Sequence, residues 1–247
     1  KTNEIKTVLR ISYQSANTKK GNEIEKMFDS ISNEYDYLNK IITFGSHSKW
    51  KKEMAEIAKS KKPKKILDIA TGTADIPIHL SSIKDCKIIG VDISKKMLAL
   101  GRKKIKSKNL SNNISLDIGS AENLKFSNNS FDVLTIGFGV RNFQNLSKSL
   151  KESFRVLKRS GYLIILETSL PKNRFINFFY LAFSRLFIPL VGYFFSKNPK
   201  AYLYLQKSAE IFPSGKNFTS LLLNIGFRKT EIRNKFFGAL SIYIAEK

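Results

Sequence analysis

Cysteine is almost missing from this 247-residue chain. Cys86 stands alone, so no internal disulfide and no multi-thiolate metal site can form, and a reducing compartment such as the cytoplasm is the natural setting. Histidine is nearly as scarce. His47 and His79 are far apart with no cysteine near His47, so there is no metal-binding constellation. Acid is the third shortage: 20 Asp and Glu face 43 Lys and Arg, a formal charge of +23. Such a balance draws attention to nucleic acid. Yet only nine of the basic residues are arginine, and the lysines run along the whole chain among abundant Asn, Ile and Phe, as an AT-rich genome would encode. Specific readers of nucleic acid lean on arginine and clustered aromatics. The charge is therefore read as compositional drift with no nucleic-acid partner; an anionic membrane surface is the other use for it. Residues 1–20 are polar and irregular, and no signal peptide is expected there. One long apolar stretch, 175–195, is interrupted by Asn177, Ser184, Arg185 and Pro189. An arginine at mid-membrane is costly, so the chain is read as soluble or peripheral rather than spanning.

Hydrophobic periodicity divides the rest. Helical spacing appears at 22–30, 34–42 and 46–60, and Pro63 ends this helical preface. Strands are expected at 65–69, 87–92, 113–118, 131–137 and 161–167, with helices at 75–82, 94–107 and 146–158. Asn128-Asn129-Ser130 and Arg159-Ser160-Gly161 supply turns before the fourth and fifth strands. A helical insert follows at 172–211, then a helix at 214–225 and strands at 228–235 and 239–245, antiparallel to each other around Phe237-Gly238. Alternating units imply an α/β fold, a mostly parallel sheet covered on both faces.

The most informative stretch is Lys65-Ile66-Leu67-Asp68-Ile69-Ala70-Thr71-Gly72-Thr73-Ala74-Asp75. An apolar run ends in an acid, a small-residue loop follows, and a helix begins at Asp75. A second run, Lys87-Ile88-Ile89-Gly90-Val91-Asp92, ends in another acid that can accept from both hydroxyls of a ribose. A dinucleotide fingerprint wants three glycines; here there is one, and a carboxylate at the helix start would repel a diphosphate. A cationic, phosphate-free ligand with an amino-acid head group suits this loop better, and S-adenosylmethionine is such a ligand.

Several segments together resemble the menaquinone/ubiquinone C-methyltransferase family of class I methyltransferases: F-D-S-I-S-N-E-Y-D-Y-L-N (28–39), F-G-S-H-S-K-W-K (44–51), I-L-D-I-A-T-G-T-A-D (66–75), G-V-D-I-S-K-K-M-L (90–98), F-G-V-R-N-F (138–143), R-V-L-K-R-S-G (155–161), L-E-T-S-L-P (166–171) and Y-L-Y-L-Q-K-S (202–208). The first loop identifies the superfamily; the Y-D-x-x-N, F-G-V-R-N and Y-x-Y-L segments are more specific. The resemblance implies a Rossmann-like seven-stranded sheet with an antiparallel last strand. It implies one methyltransferase domain: a helical lid at 1–63, a cofactor-binding core at 64–170, a substrate and lipid insert at 171–212 and a closing helix and strand pair at 213–247. It also implies S-adenosylmethionine as cofactor and methyl transfer to the ring carbon of a prenylated naphthoquinol. A ubiquinone-pathway benzoquinol is the alternative substrate, and a nucleic-acid methyltransferase the remoter one.

Cofactor contacts are expected from Asp68, Gly72, Thr73, Asp75, Asp92, Ser120 and Ala121, the last two against the adenine. Arg141 and Asn142 follow the fourth strand, where such sheets place reacting groups, and Tyr35 and Asp36 come from the lid. Arg141 is expected to orient the quinol oxygen or a water, Tyr35 to hydrogen-bond the ring oxygen and Asp36 or a water to accept the proton; His47 has the intrinsic pKa of a base. The opposing readings are an ion pair for Arg141 and helix packing for Tyr35 and His47. The chain departs from the family at Ala74 and Ser160, where glycine is usual, and at Gly137, where serine or alanine is common. The methyl of Ala74 costs little if its φ is negative. The insert, flanked by Lys172, Arg174, Lys197 and Lys200, is expected to line a prenyl channel or rest peripherally on the inner face of an anionic membrane; a core helix or a homodimer interface are the alternatives.

Overall fold

The computed structural model describes residues 18–196 and 198–247. The polar stretch before residue 18 and Lys197 therefore lie outside the described residues. Three helices come first: α1 (Thr18–Ile31), α2 (Tyr35–Ile42) and α3 (Ser46–Ser60). The alternating part follows as β1 (Lys65–Ile69), α4 (Asp75–Leu80), β2 (Lys87–Asp92), α5 (Lys95–Ser107), β3 (Ile114–Ile118), β4 (Phe131–Gly137), α6 (Leu146–Val156) and β5 (Leu157–Thr168). Then come α7 (Arg174–Phe195), α8 (Pro199–Ile211), α9 (Lys216–Ile225), β6 (Lys229–Lys235) and β7 (Leu240–Glu246).

The strands are apolar on both faces because both faces are covered. Leu67, Ile69, Leu134, Ile136, Leu163 and Ile165 point to one side, where they pack with Leu146, Leu150, Phe218 and Leu222 from α6 and α9. The alternate residues Ile66, Val133 and Ile164 point to the other side, against Met54 and Ala58 of α3 and Leu98 of α5. Strand order is β3-β2-β1-β4-β5-β7-β6, and β7 runs antiparallel to both its neighbours. The expected Rossmann-like sheet with an antiparallel last strand is thus observed. Its order reverses between β1 and β4, so a crevice opens at their carboxyl ends.

Four local departures from the sequence reading have physical causes. Helix α6 stops at Val156, and β5 starts at Leu157 with a bulge: Phe131 pairs Leu157, but Val133 already pairs Tyr162. Ser160 sits inside this bulge with φ 59°, so the expected turn is a strand irregularity instead. The insert is two helices, broken where Pro199 opens α8. The segment after β4, given no element from sequence, is a short 3-10 turn at Val140–Asn142. Ala74 has φ 65°, a left-handed conformation, so the condition for a low-cost methyl is not met and the methyl is a real strain.

Candidate active site

The loop after β1 folds tightly because Ala70, Gly72 and Ala74 are all left-handed (φ 56°, 55° and 65°). Its carbonyl and amide groups are tied to β2 and to the loop itself: Thr71 N donates to Val91 O and Ala74 N to Thr71 O, both at 3.0 Å. The close approach of the next strand end needs Gly139, where a Cβ would come within 2.6 Å of Ala70 Cβ. At Gly137 a Cβ would meet Ile76 Cδ1 at 2.1 Å, so the side chain absent there is replaced by Ile76 from α4.

Asp92, at the end of β2, faces the crevice. Its carboxylate accepts from Gly72 N (2.8 Å) and Ser94 N (2.9 Å). Burial pushes its pKa up, and those amides oppose the shift. A cleft of about 410 Å³ opens here, lined by Gly72, Asp92, Ser120, Ala121, Asn142 and, from α1, Ile24 and Phe28. Helix α1 is held over it by Asp29, which accepts from Ser94 Oγ (2.5 Å) and Lys96 N (3.2 Å) at the start of α5.

Next to the cleft lies an ion network. Asp75 sits between two ammonium groups, Lys51 Nζ and Lys104 Nζ, each at 2.7 Å. Burial would raise the Asp75 pKa, but Lys51 and Lys104 together hold it well below the usual carboxylate range. Lys104 also reaches Asp36 at 2.5 Å and Thr73 Oγ1 at 3.0 Å, while Thr73 Oγ1 donates to Asp36 Oδ1 at 2.7 Å. The lid helices α2 and α3 are thereby fastened to the cofactor loop.

Beyond the network a smaller pocket, about 150 Å³, is lined by Tyr35, His47, Arg141, Tyr180, Tyr202 and Gln206 among others. Arg141 and Glu167, almost wholly buried, pair at 2.5 Å, and Arg141 Nη1 also donates to Phe138 O at 2.9 Å. Burial opposes its charge, yet Glu167 more than restores it, so the guanidinium stays protonated. Three buried donors here have no partner: Arg141 Nε, the Tyr202 hydroxyl and Thr71 Oγ1. Burial raises the Tyr35 pKa, with Arg141 opposing, so its phenol stays protonated near neutrality. Tyr35, Ala70, Gly72, Gly137 and Phe138 line both this pocket and the cleft. A third cavity, about 680 Å³ and almost wholly apolar, continues outward past Ile42, Phe138, Tyr180 and Ile188 to Phe44, Phe179, Phe236 and Phe237.

The chain matches the model of the ubiE/COQ5 methyltransferase family over residues 14–247. It belongs to that family. Among curated proteins it is 36% identical over 239 residues to a demethylmenaquinone methyltransferase of Bacteroides fragilis, covering 96% of this chain and 98% of the relative. It is also 36% identical over 232 residues to the ubiquinone/menaquinone biosynthesis C-methyltransferase UbiE of Geobacter sulfurreducens (93% and 90% covered). In fold it is similar to a putative S-adenosyl-L-methionine-dependent methyltransferase from Methanococcus maripaludis, with a TM-score of 0.62 and 21% identity over 87% of this chain and 91% of that one. The chain is thus an S-adenosylmethionine-dependent methyltransferase, as the sequence resemblance implied.

The methyltransferase cleft fits that cofactor on its own chemistry. It offers a strand-end carboxylate, glycine backbone and apolar walls, and no lysine or arginine among its lining residues to hold phosphate. Of the residues expected to bind the cofactor, Gly72, Asp92, Ser120 and Ala121 line the cleft, and so does Asn142, which the sequence reading assigned to the reaction. Ser120 Oγ donates to Glu122. Thr73 and Asp75 face the inner pocket and the ion network instead. The carboxylate thought to repel a diphosphate is neutralised by two lysines, so discrimination rests on Asp92 and the cleft lining. Asp68 is fully buried behind the loop, with Oδ1 accepting from Thr135 Oγ1 at 2.6 Å, Oδ2 unpartnered, and its pKa raised to about 7 by burial. Tyr35, Arg141 and His47 share the inner pocket. Asp36 is engaged on both oxygens by Thr73 and Lys104. Sequence reasoning missed Lys51, Lys104, Glu167 and Thr43; Lys51 and Glu167 lie inside the quoted segments 44–51 and 166–171, and nothing local distinguishes Lys104.

Proposed function

We propose that this methyltransferase methylates a ring carbon of a prenylated demethylnaphthoquinol, giving the menaquinol. The observation that carries the reading is the run of three adjoining chambers: a cleft with a strand-end carboxylate, a small pocket with unpartnered donors, and a long apolar groove, in that order. A quinol has the matching parts, with a ring that bears oxygens and a hydrocarbon tail. The relatives named for demethylmenaquinone and for ubiquinone/menaquinone biosynthesis support a quinone-type substrate.

Bound S-adenosylmethionine supplies a methyl group already activated on a sulfonium. Asp92 and the Gly72 backbone would hold the sugar, and Ser120 and Ala121 would flank the base. Arg141 Nε and the Tyr202 hydroxyl would each donate to a quinol oxygen and orient the ring. Arg141 cannot serve as a base, because guanidinium pKa values stay above about 12. Tyr35, at the boundary of the two chambers, would hold the ring edge against the cleft. The enclosing lid keeps water from the reacting carbon.

The tail would enter from a membrane. Helix α7 is inside-out for a soluble protein: Phe175, Phe178, Leu186, Tyr193 and Phe194 are at least two-thirds exposed, while Ser184 is buried. Only 17% of its most apolar window is buried, although it is long and apolar enough to cross a bilayer. Its other side packs on α2 and α8, and Arg185 is paired with Glu210 of α8 at 2.8 Å. We place this face flat on an anionic cytoplasmic leaflet, with Lys172, Arg174 and Lys200 at its rim. The test is incubation with labelled S-adenosylmethionine and reduced demethylquinones of both ring types, with flotation on anionic liposomes. Methylated naphthoquinol and co-flotation are expected; turnover of neither ring sinks the substrate assignment, and protein left at the bottom of a low-salt gradient sinks the membrane one.

A further inference from the structure

The turn between α2 and α3 brings a hydroxyl against an imidazole. Gly45 is left-handed (φ 75°), and its N–H bonds Lys40 O at 2.8 Å, which doubles the chain back so that Thr43 meets His47. Thr43 Oγ1 lies 2.7 Å from Asn39 O and 2.9 Å from His47 Nδ1. A hydroxyl has one hydrogen, and the shorter contact to a carbonyl takes it. The oxygen is then an acceptor towards His47, whose backbone N–H also points at it from 3.4 Å. Nδ1 must carry the imidazole proton, and Nε2 is left with a lone pair. Among the described residues no group bonds that nitrogen, and His47 is a lining residue of the inner pocket.

We propose, building on the quinol reading above, that His47 Nε2 is the base that takes the ring hydroxyl proton, and that Thr43 is the positioning residue that fixes the tautomer needed for it. The other candidate groups are unsuited. Arg141 holds its proton, Asp75 is paired with Lys51 and Lys104, Glu210 with Arg185 and Gln206, both oxygens of the neighbouring Asp36 are engaged, and Tyr35 is a weak acid made weaker by burial. His47 keeps its lone pair at neutral pH, since burial and then Lys51 disfavour the imidazolium. Asp75 and Asp36 oppose this from α4 and α2, while His79 on α4 adds to it. Arg141 and, from α8, Glu210 face the same pocket.

The step balances without an added reagent. The O–H bond breaks to Nε2, the ring carbon forms its bond to the methyl as the methyl–sulfur bond breaks, and the sulfur keeps that electron pair. Nε2 then returns the first proton to the oxygen, takes the ring-carbon hydrogen as a proton in its turn and gives it up to solvent on product release, so one proton is released per methyl transferred.

The test pairs tautomer and turnover on the full enzyme. Two-bond 15N–1H correlation without substrate is expected to show the wild-type His47 proton on Nδ1; the signals absent from His47→Gln identify it. With reduced demethylmenaquinone, His47→Gln is expected to lose about 10²-fold in kcat with cofactor affinity intact, and His47→Asn likewise. Thr43→Val is expected to move the proton to Nε2 and lower kcat about fivefold, and Thr43→Ser to restore both. The proposal is overturned if the wild-type proton sits on Nε2, or if His47→Gln and His47→Asn turn over like wild type. A wild-type enzyme that methylates no quinol overturns the substrate reading as well, which separates the two failures.

Discussion

The two ends of the active-site path are built on opposite principles. At the cofactor end polar groups hold one another: Asp92 by two amides, Asp75 by two lysines, Arg141 by Glu167, Asp29 by the start of α5. At the lipid end the aromatics hold only each other. Phe44 stacks on Phe187, Phe183 on Phe187, Phe175 on Phe179 edge-to-face, and their outer sides face solvent. A charged cofactor needs groups fixed before it arrives, because directional bonds lose strength with misplacement. A hydrocarbon tail needs only apolar area, and area is tolerant of movement. The contrast predicts sharp losses from single changes at one end and graded losses at the other.

The largest effect is expected where the polar end is deepest. Glu167→Ala strands the Arg141 charge in a buried site and should lower unfolding free energy by about 3–5 kcal/mol in denaturant titration. Asp68 gives the pH counterpart. Its pKa, about 7 when folded, exceeds the ordinary carboxylate value, so its contribution is full below pH ~4 and is lost as pH rises through about 7. Asp68→Asn should flatten that fall, which amounts to a few kcal/mol between those limits. Asp75 has the opposite sign: its stabilisation is present above the ordinary carboxylate pKa and is lost only in stronger acid, so the two windows do not overlap. Next, Asp92→Ala should weaken S-adenosylmethionine binding about 10²-fold by calorimetry, since charge-assisted hydrogen bonds are worth about 1.5–3 kcal/mol.

Gentler losses are expected at the lipid end. Phe178→Glu should cut liposome binding about tenfold, as for one lost apolar anchor, and leave cofactor affinity unchanged. A large change in cofactor affinity would mean the two ends are not separate. The smallest change lies near the amino-terminal end of β5, away from the crevice at the strands' carboxyl ends. Ser160 is exposed with φ 59°, and Ser160→Gly should raise stability by about 1 kcal/mol without touching either ligand.

The strands were legible because burial on both faces writes continuous apolar runs, as in Ile66-Leu67 and Leu163-Ile164-Ile165-Leu166. Asp92 was legible because a strand-end acid is a local pattern. What escaped depends on partners distant in sequence. Lys104 looks like any surface lysine until α5 carries it to Asp36 and Asp75. The vacancy at Gly137 reads as a lost contact until Ile76 is seen to fill it. The sign of φ at Ala74 is set by the loop's hydrogen bonds and not by the residue, which is why the methyl there was misjudged. The break before α8 comes from Pro199, whereas which side of α7 is covered follows from packing against α2 and α8, which composition alone does not encode.

The shared wall of Gly72 and Phe138 carries a practical consequence. The two compartments adjoin across this thin boundary, so a nucleoside covalently fused to an aromatic diol through a short tether could occupy both at once. Joining the fragments makes the second association intramolecular and raises its effective concentration. Such hybrid ligands should outcompete either fragment alone.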